Sequence, residues 1–136
     1  MKRLSLLLVA LAACQAPAGR QLSSDLFEDI PAPRGARYQY AKNQSFSYRT
    51  PTFRCARFHY EYEGSDANVV SFYRQTMTSP PYNWNLAREE GQAEGSTRLV
   101  FQKNEDVCQV DIDRVPRPAL ERPDNVTILV RVNYNG

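Results

Sequence analysis

The chain has 136 residues, 24% of them charged, with 17 Lys and Arg against 15 Asp and Glu. Lys2 and Arg3 account for the excess, so the remainder is neutral, which argues against general nucleic-acid binding, a task for clustered positive charge. About 120 residues beyond the N-terminal segment suffice for one domain with a modest core, and no second stretch is long and apolar enough to span a bilayer.

Met1-Lys2-Arg3 is a short basic start, followed by an apolar run from Leu4 to Ala13 broken only by Ser5. That run is too short for a bilayer, which needs about 20 apolar residues, and fits a secretory signal peptide. Its end, Leu11-Ala12-Ala13-Cys14, resembles the lipobox of bacterial lipoproteins. The resemblance implies removal of residues 1–13 and acylation of Cys14, on both its thiol and its new amine. Two or three acyl chains hold a protein firmly where one binds only marginally. Gln15 rather than Asp follows the cysteine. By the sorting habit of that family, this points to the outer membrane of a diderm host, with the domain facing the periplasm.

Residues 14–29 read as the lipidated cysteine and a flexible tether reaching on the order of 20 Å, with Leu26-Phe27 its one apolar spot. "IPAPRGA", residues 30–36, is an extended lead-in, because two prolines disfavour a helix. Tyr38 and Tyr40, then Phe46 and Tyr48, alternate with polar residues around "AKNQS", which predicts a hairpin turning near Asn43. In "FRCARFHYEYE", residues 53–63, Ala56, Phe58, Tyr60 and Tyr62 share one face of a half-buried strand, with Arg57, His59, Glu61 and Glu63 on the other. Ser65 or Asp66 caps a helix over 66–78, whose buried stripe is Val69, Val70, Tyr73 and Met77, and Pro80-Pro81 follow it.

Trp84-Asn-Leu86 begins a strand that runs into a turn-rich "EEGQAEGS". "TRLVFQK", "VCQVDIDRV" and "NVTILVRVNY" are three further strands, with a short turn at Asn104-Glu105-Asp106 and a proline-rich loop over 116–124. Short links imply antiparallel pairing. The expected fold class is therefore α+β: an antiparallel sheet of about five to seven strands with one helix on one face, over residues 30–136. Several residues carry a second resemblance: Ile30-Pro31, Pro33 and Gly35; Phe72-Tyr73-Arg74 and Met77; Trp84 and Leu86; Leu99, Phe101 and Lys103; Cys108, Val110 and Ile112. Together they resemble a domain of small uncharacterised bacterial lipoproteins and exported proteins, over about residues 30–134. The resemblance implies a fold and no activity. Asn83 stands where that pattern has glycine, and asparagine tolerates the left-handed backbone such a turn needs.

The chemistry on offer is sparse. His59, the one histidine, with Glu61 is the only acid–base pair for a hydrolase, and no nucleophile accompanies it. Glu61 with Glu63, and Asp111 with Asp113, form a cation or carbohydrate site only if their strands are neighbours; otherwise Arg57 and Arg131 are their counter-charges. Cys55 and Cys108 form a disulfide only if a bulge near Ala56 turns Cys55 inward. Tyr38, Tyr40, Phe46 and Tyr48 are the candidate binding surface, an aromatic ribbon for a protein or glycan. No metal spacing or cofactor motif is present. The expectation is a non-enzymatic, lipid-anchored binding or scaffolding module. It would have the membrane and an envelope protein as partners and no nucleic acid. A small-ligand or glycan binder, with a pocket near Tyr73 and Trp84, is the alternative.

Overall fold

The computed structural model describes residues 27–39, 45–93, 95–115 and 125–134. Cys14, the leader before it and Tyr40 lie outside the described residues. Seven strands and one helix are seen among those described: β1 (Arg37–Tyr38), β2 (Phe46–Arg49), β3 (Arg54–Glu63), α1 (Asp66–Met77), β4 (Asn85–Ala93), β5 (Ser96–Lys103), β6 (Asp106–Val115) and β7 (Asn125–Val132). All pairings are antiparallel in one sheet of order β1-β3-β7-β6-β5-β4, with β2 also on β3. The α+β class is as expected, with the balance toward sheet.

β4 to β7 form a meander, and α1 carries the chain from β3 at one side of the sheet to β4 at the other. Ser65 caps α1 by accepting from the Asn68 N–H at 3.1 Å, and Asp66 is left to pair with Arg114 at 2.9 Å. The helix buries Val69, Val70, Tyr73 and Met77, the residues its spacing selects. Register places three transverse rows beneath it. They are Ala56, Val132, Cys108 and Phe101; Phe58, Val130, Val110 and Leu99; and Tyr60, Ile128 and Ile112. All eleven are nearly or fully buried.

Two expectations are corrected. Tyr38 and Phe46 do not face each other across a hairpin; β1 and β2 lie end to end on the same edge of β3. From Arg37 to Phe46 the chain advances nine residues while its partner on β3 retreats four. The five extra residues are an odd number, and a strand alternates faces with period two. Tyr38 therefore points to the covered face, against Phe58 and Tyr60, whereas Phe46 and Tyr48 fall in register with Arg57 and Cys55 on the open face. The second correction is β4. Glu89 to Ala93, read as turn, pairs with β5 through register shifts at Leu86/Arg88 and Gly91/Ala93. Ladder pairing overrides the poor strand propensity of glutamate and glycine there.

The packed body also starts before residue 30. Phe27 is fully buried and meets Phe58 edge-on at 5.2 Å. Ile30, Pro31, Pro33 and Ala36 are buried as well. The lead-in thus joins α1 in covering the sheet. At the turn before β4, Asn83 takes φ 56°, the left-handed backbone expected of asparagine.

Candidate functional site

One face of the sheet is covered; the other is an ordered array of polar side chains. Its rows follow from the register. The first reads Arg57, Arg131, Gln109, Val100, Arg88 across five strands, and the second His59, Leu129, Asp111, Arg98, Glu90. Asp111 is only 8% exposed despite lying on this face. Arg98 Nε donates to its Oδ1 at 2.7 Å, and Arg131 Nη2 to its Oδ2 at 2.6 Å. Gln109 Nε2 adds a third bond at 3.1 Å. Burial opposes ionisation of Asp111, but the Arg98, Gln109 and Arg131 hydrogen bonds outweigh it and hold its pKa below the ordinary value.

Arg57 sits directly opposite Arg131 on the neighbouring strand. Among the described residues its side chain has no hydrogen-bond or ion-pair partner, and its Nε is buried. Like charges directly across a strand pair are unfavourable. The face therefore carries an arginine beyond what Asp111 balances. Phe46 is Arg57's neighbour on the other side and stacks edge-on with Tyr134 at 4.9 Å. The aromatic rim and the arginine row are continuous.

The carboxylate pairs do not converge. Glu61 and Asp113 flank Thr127 on β7, so a whole strand separates them. Glu61 and Glu63 are instead paired with Arg37 at 3.6 and 3.4 Å. Among the described residues, no three of His, Cys, Asp and Glu gather as a metal site. His59 lies on the open face, its backbone N–H donating to Ser45 Oγ at 2.9 Å. Burial lowers its pKa below 6.5; Glu61 opposes that shift and Arg57 adds to it. The Cys55–Cys108 pairing is not made. β3 continues in register through Ala56, so Cys55 faces the open side while Cys108 is fully buried under the helix. Burial pushes the Cys108 thiol far up, which keeps it protonated.

Of the aromatic ribbon, Tyr38 is core packing, and Phe46 and Tyr48 are 37% and 57% exposed. The space near Tyr73 and Trp84 is filled: the two are 0% and 1% exposed within the core. A cleft of about 280 Å³ lies elsewhere, between the β2–β3 turn and Asp106.

A second ion cluster, which no local spacing in the sequence signals, sits beside that cleft. Arg54 donates to both oxygens of Asp29 at 2.8 and 2.9 Å and pairs with Asp106 at 2.9 Å. Lys103 reaches Asp29 at 3.3 Å and the Tyr82 carbonyl at 2.7 Å. The Trp84 indole N–H donates to the Asp29 carbonyl at 2.8 Å. Burial opposes ionisation of Asp29 too, but the bonds and charges of Arg54 and Lys103 hold its pKa below the usual range. This cluster fastens the lead-in to the body. No family model, no curated protein and no solved structure matches the chain.

Proposed function

We propose that this protein is a lipid-anchored module of the cell envelope. It would be held by acyl chains on Cys14 and bind or scaffold an envelope protein through the open sheet face, without catalysis. The observation that carries the reading is the uncompensated Arg57 beside Arg131, bordered by Phe46 and Tyr134. Arginine and aromatic side chains side by side suit a protein partner. The outer membrane is the proposed address if the host is diderm, with the domain facing the periplasm. A photo-crosslinker at Leu129, on this face, should give one discrete adduct in intact cells of the native host. The same group at Gln75, on the exposed side of α1, should give none. Equal labelling from both positions, or none from either, rejects the reading. An unmodified Cys14 thiol by mass spectrometry rejects the anchor.

A further inference from the structure

Among the described residues, the exposed large hydrophobics are Phe46, Tyr48, Phe53, Leu86 and Val107. All five lie toward one end of the sheet. Tyr48 is opposite Cys55 near the start of β3, and Phe53 is in the β2–β3 turn. Val107 is opposite Gln102 beside the β5–β6 turn, and Leu86 is at the start of β4. The other end presents Glu61, Glu63, Asp66, Asp113 and Arg114, with Arg37 and Arg114 pairing three of those carboxylates. Tyr48 and Phe53, at the β2–β3 turn, are the most exposed of the five, at 57% and 49%.

The chain enters the body at that same pole. Phe27 packs on Phe58, and Asp29 is clamped by Arg54 at the start of β3 and Lys103 at the end of β5. Phe27 lies thirteen positions after Cys14, a span of at most about 45 Å fully extended. The ten residues of β3 alone cover about 33 Å. An acylated Cys14 therefore brings the apolar pole to the bilayer with slack in the chain. The acidic pole, about 17 Å further along β3 from Phe58, is within reach too, but it offers the bilayer carboxylates rather than apolar side chains. We infer that this pole docks on the lipid surface, with Tyr48 and Phe53 at the interface and Arg49 beside them among anionic headgroups. Aromatic side chains favour that depth, and a second contact turns a tether into a fixed orientation. The open sheet face then stands across the membrane plane, where a neighbouring envelope protein can reach it.

The inference rests on the anchor reading, and one sample tests the two separately. Full-length protein purified from host membranes is placed in nanodiscs of phosphatidylethanolamine and phosphatidylglycerol containing a gadolinium-chelate headgroup lipid. Intact mass first reads acylation of Cys14. Amide relaxation should then be severalfold stronger at Tyr48, Phe53 and Val107 than at Gly64, Gly95 and Thr127. The double variant Tyr48→Ser/Phe53→Ser should keep its acyl mass and lose that contrast. Acylated protein relaxed equally at both poles overturns the docking and leaves the anchor intact; so does a contrast that survives in the double variant. A mass without acyl chains overturns the anchor, and the docking with it.

Discussion

Two carboxylates in this protein each hold two cations. Asp29 accepts from Arg54 and Lys103, and Asp111 accepts from Arg98 and Arg131. Their partners arrive by different routes. Arg98, Asp111 and Arg131 sit on adjacent strands, offset by register alone, so the sheet has already brought them together. Asp29 lies on no strand, and its partners are 25 and 74 residues away. The first cluster decorates pairing that exists without it. The second closes a chain segment onto the core. Similar chemistry should therefore differ in consequence, and removing pieces of each cluster measures the difference.

The largest loss is expected from Phe27→Ala, which empties a fully buried ring site under the lead-in. A Phe-to-Ala change in a core costs about 3–5 kcal/mol, read as a lower urea midpoint. Exchange of the Ile30 amide, which donates to the Phe27 carbonyl at 3.0 Å, should rise before global unfolding. Arg54→Ala comes next. It leaves Asp29 to Lys103 and Asp106 to Asn133 at a site where the arginine side chain is 18% exposed. Breaking a buried pair costs about 3–5 kcal/mol, and partial exposure brings the expectation here to about 2–4 kcal/mol. It too should release the Ile30 amide. Asp111→Asn leaves Arg98 and Arg131 without their shared charge, yet the ladder around them persists. About 1–2 kcal/mol is expected, with Ile30 exchange unchanged. Early Ile30 release in that variant would break the distinction between the clusters.

Acid separates the two aspartates from His59. Both aspartates have pKa values lowered from 3.8, so the unfolded chain binds more protons as the pH falls. Their contribution is complete above about 3.8 and is lost as the pH drops through the lowered folded values. His59, lowered from 6.5, behaves in the same sense at higher pH. Its neutral form is the one the fold accepts, so stability begins to fall below about pH 6.5. His59→Gln should remove this upper limb from a pH series of urea midpoints and leave the acid limb of the aspartates. An unchanged upper limb would assign it elsewhere.

Much of the covered face was legible because it obeys periodicity. The stripe of α1 and the alternation in β3, β6 and β7 name Val69, Tyr73, Phe58, Val110 and Ile128 from spacing alone, and all are buried. The open face was half legible. Arg57 and Arg131 were placed there as counter-charges, but which carboxylate each meets depends on strand order. β7 between β3 and β6 gives Asp111 to Arg131 and nothing to Arg57. The edge strand misled for a local reason: "AKNQS" carries real turn chemistry, and only the long edge of β3 shows both flanks pairing with a third strand. The Arg54–Asp29 cluster was illegible, since contacts across such separations leave no period to read.

The smallest effect probes the open face itself. Arg57→Gln removes a charge directly opposite Arg131 and a buried donor that lacks an acceptor. Cross-strand charge terms are about 0.2–1 kcal/mol, and glutamine keeps part of the aliphatic stem that packs on the sheet. The variant should be as stable as the parent or slightly more so. The gain should be larger at low salt and shrink as ions screen the arginine pair. The same charge also depresses the pKa of His59, so an NMR titration of that imidazole should move upward in Arg57→Gln. Both shifts follow from a cation the fold tolerates without a partner. A loss of stability at every salt concentration, with His59 unmoved, would instead make Arg57 part of the framework and remove the strongest mark of a binding face.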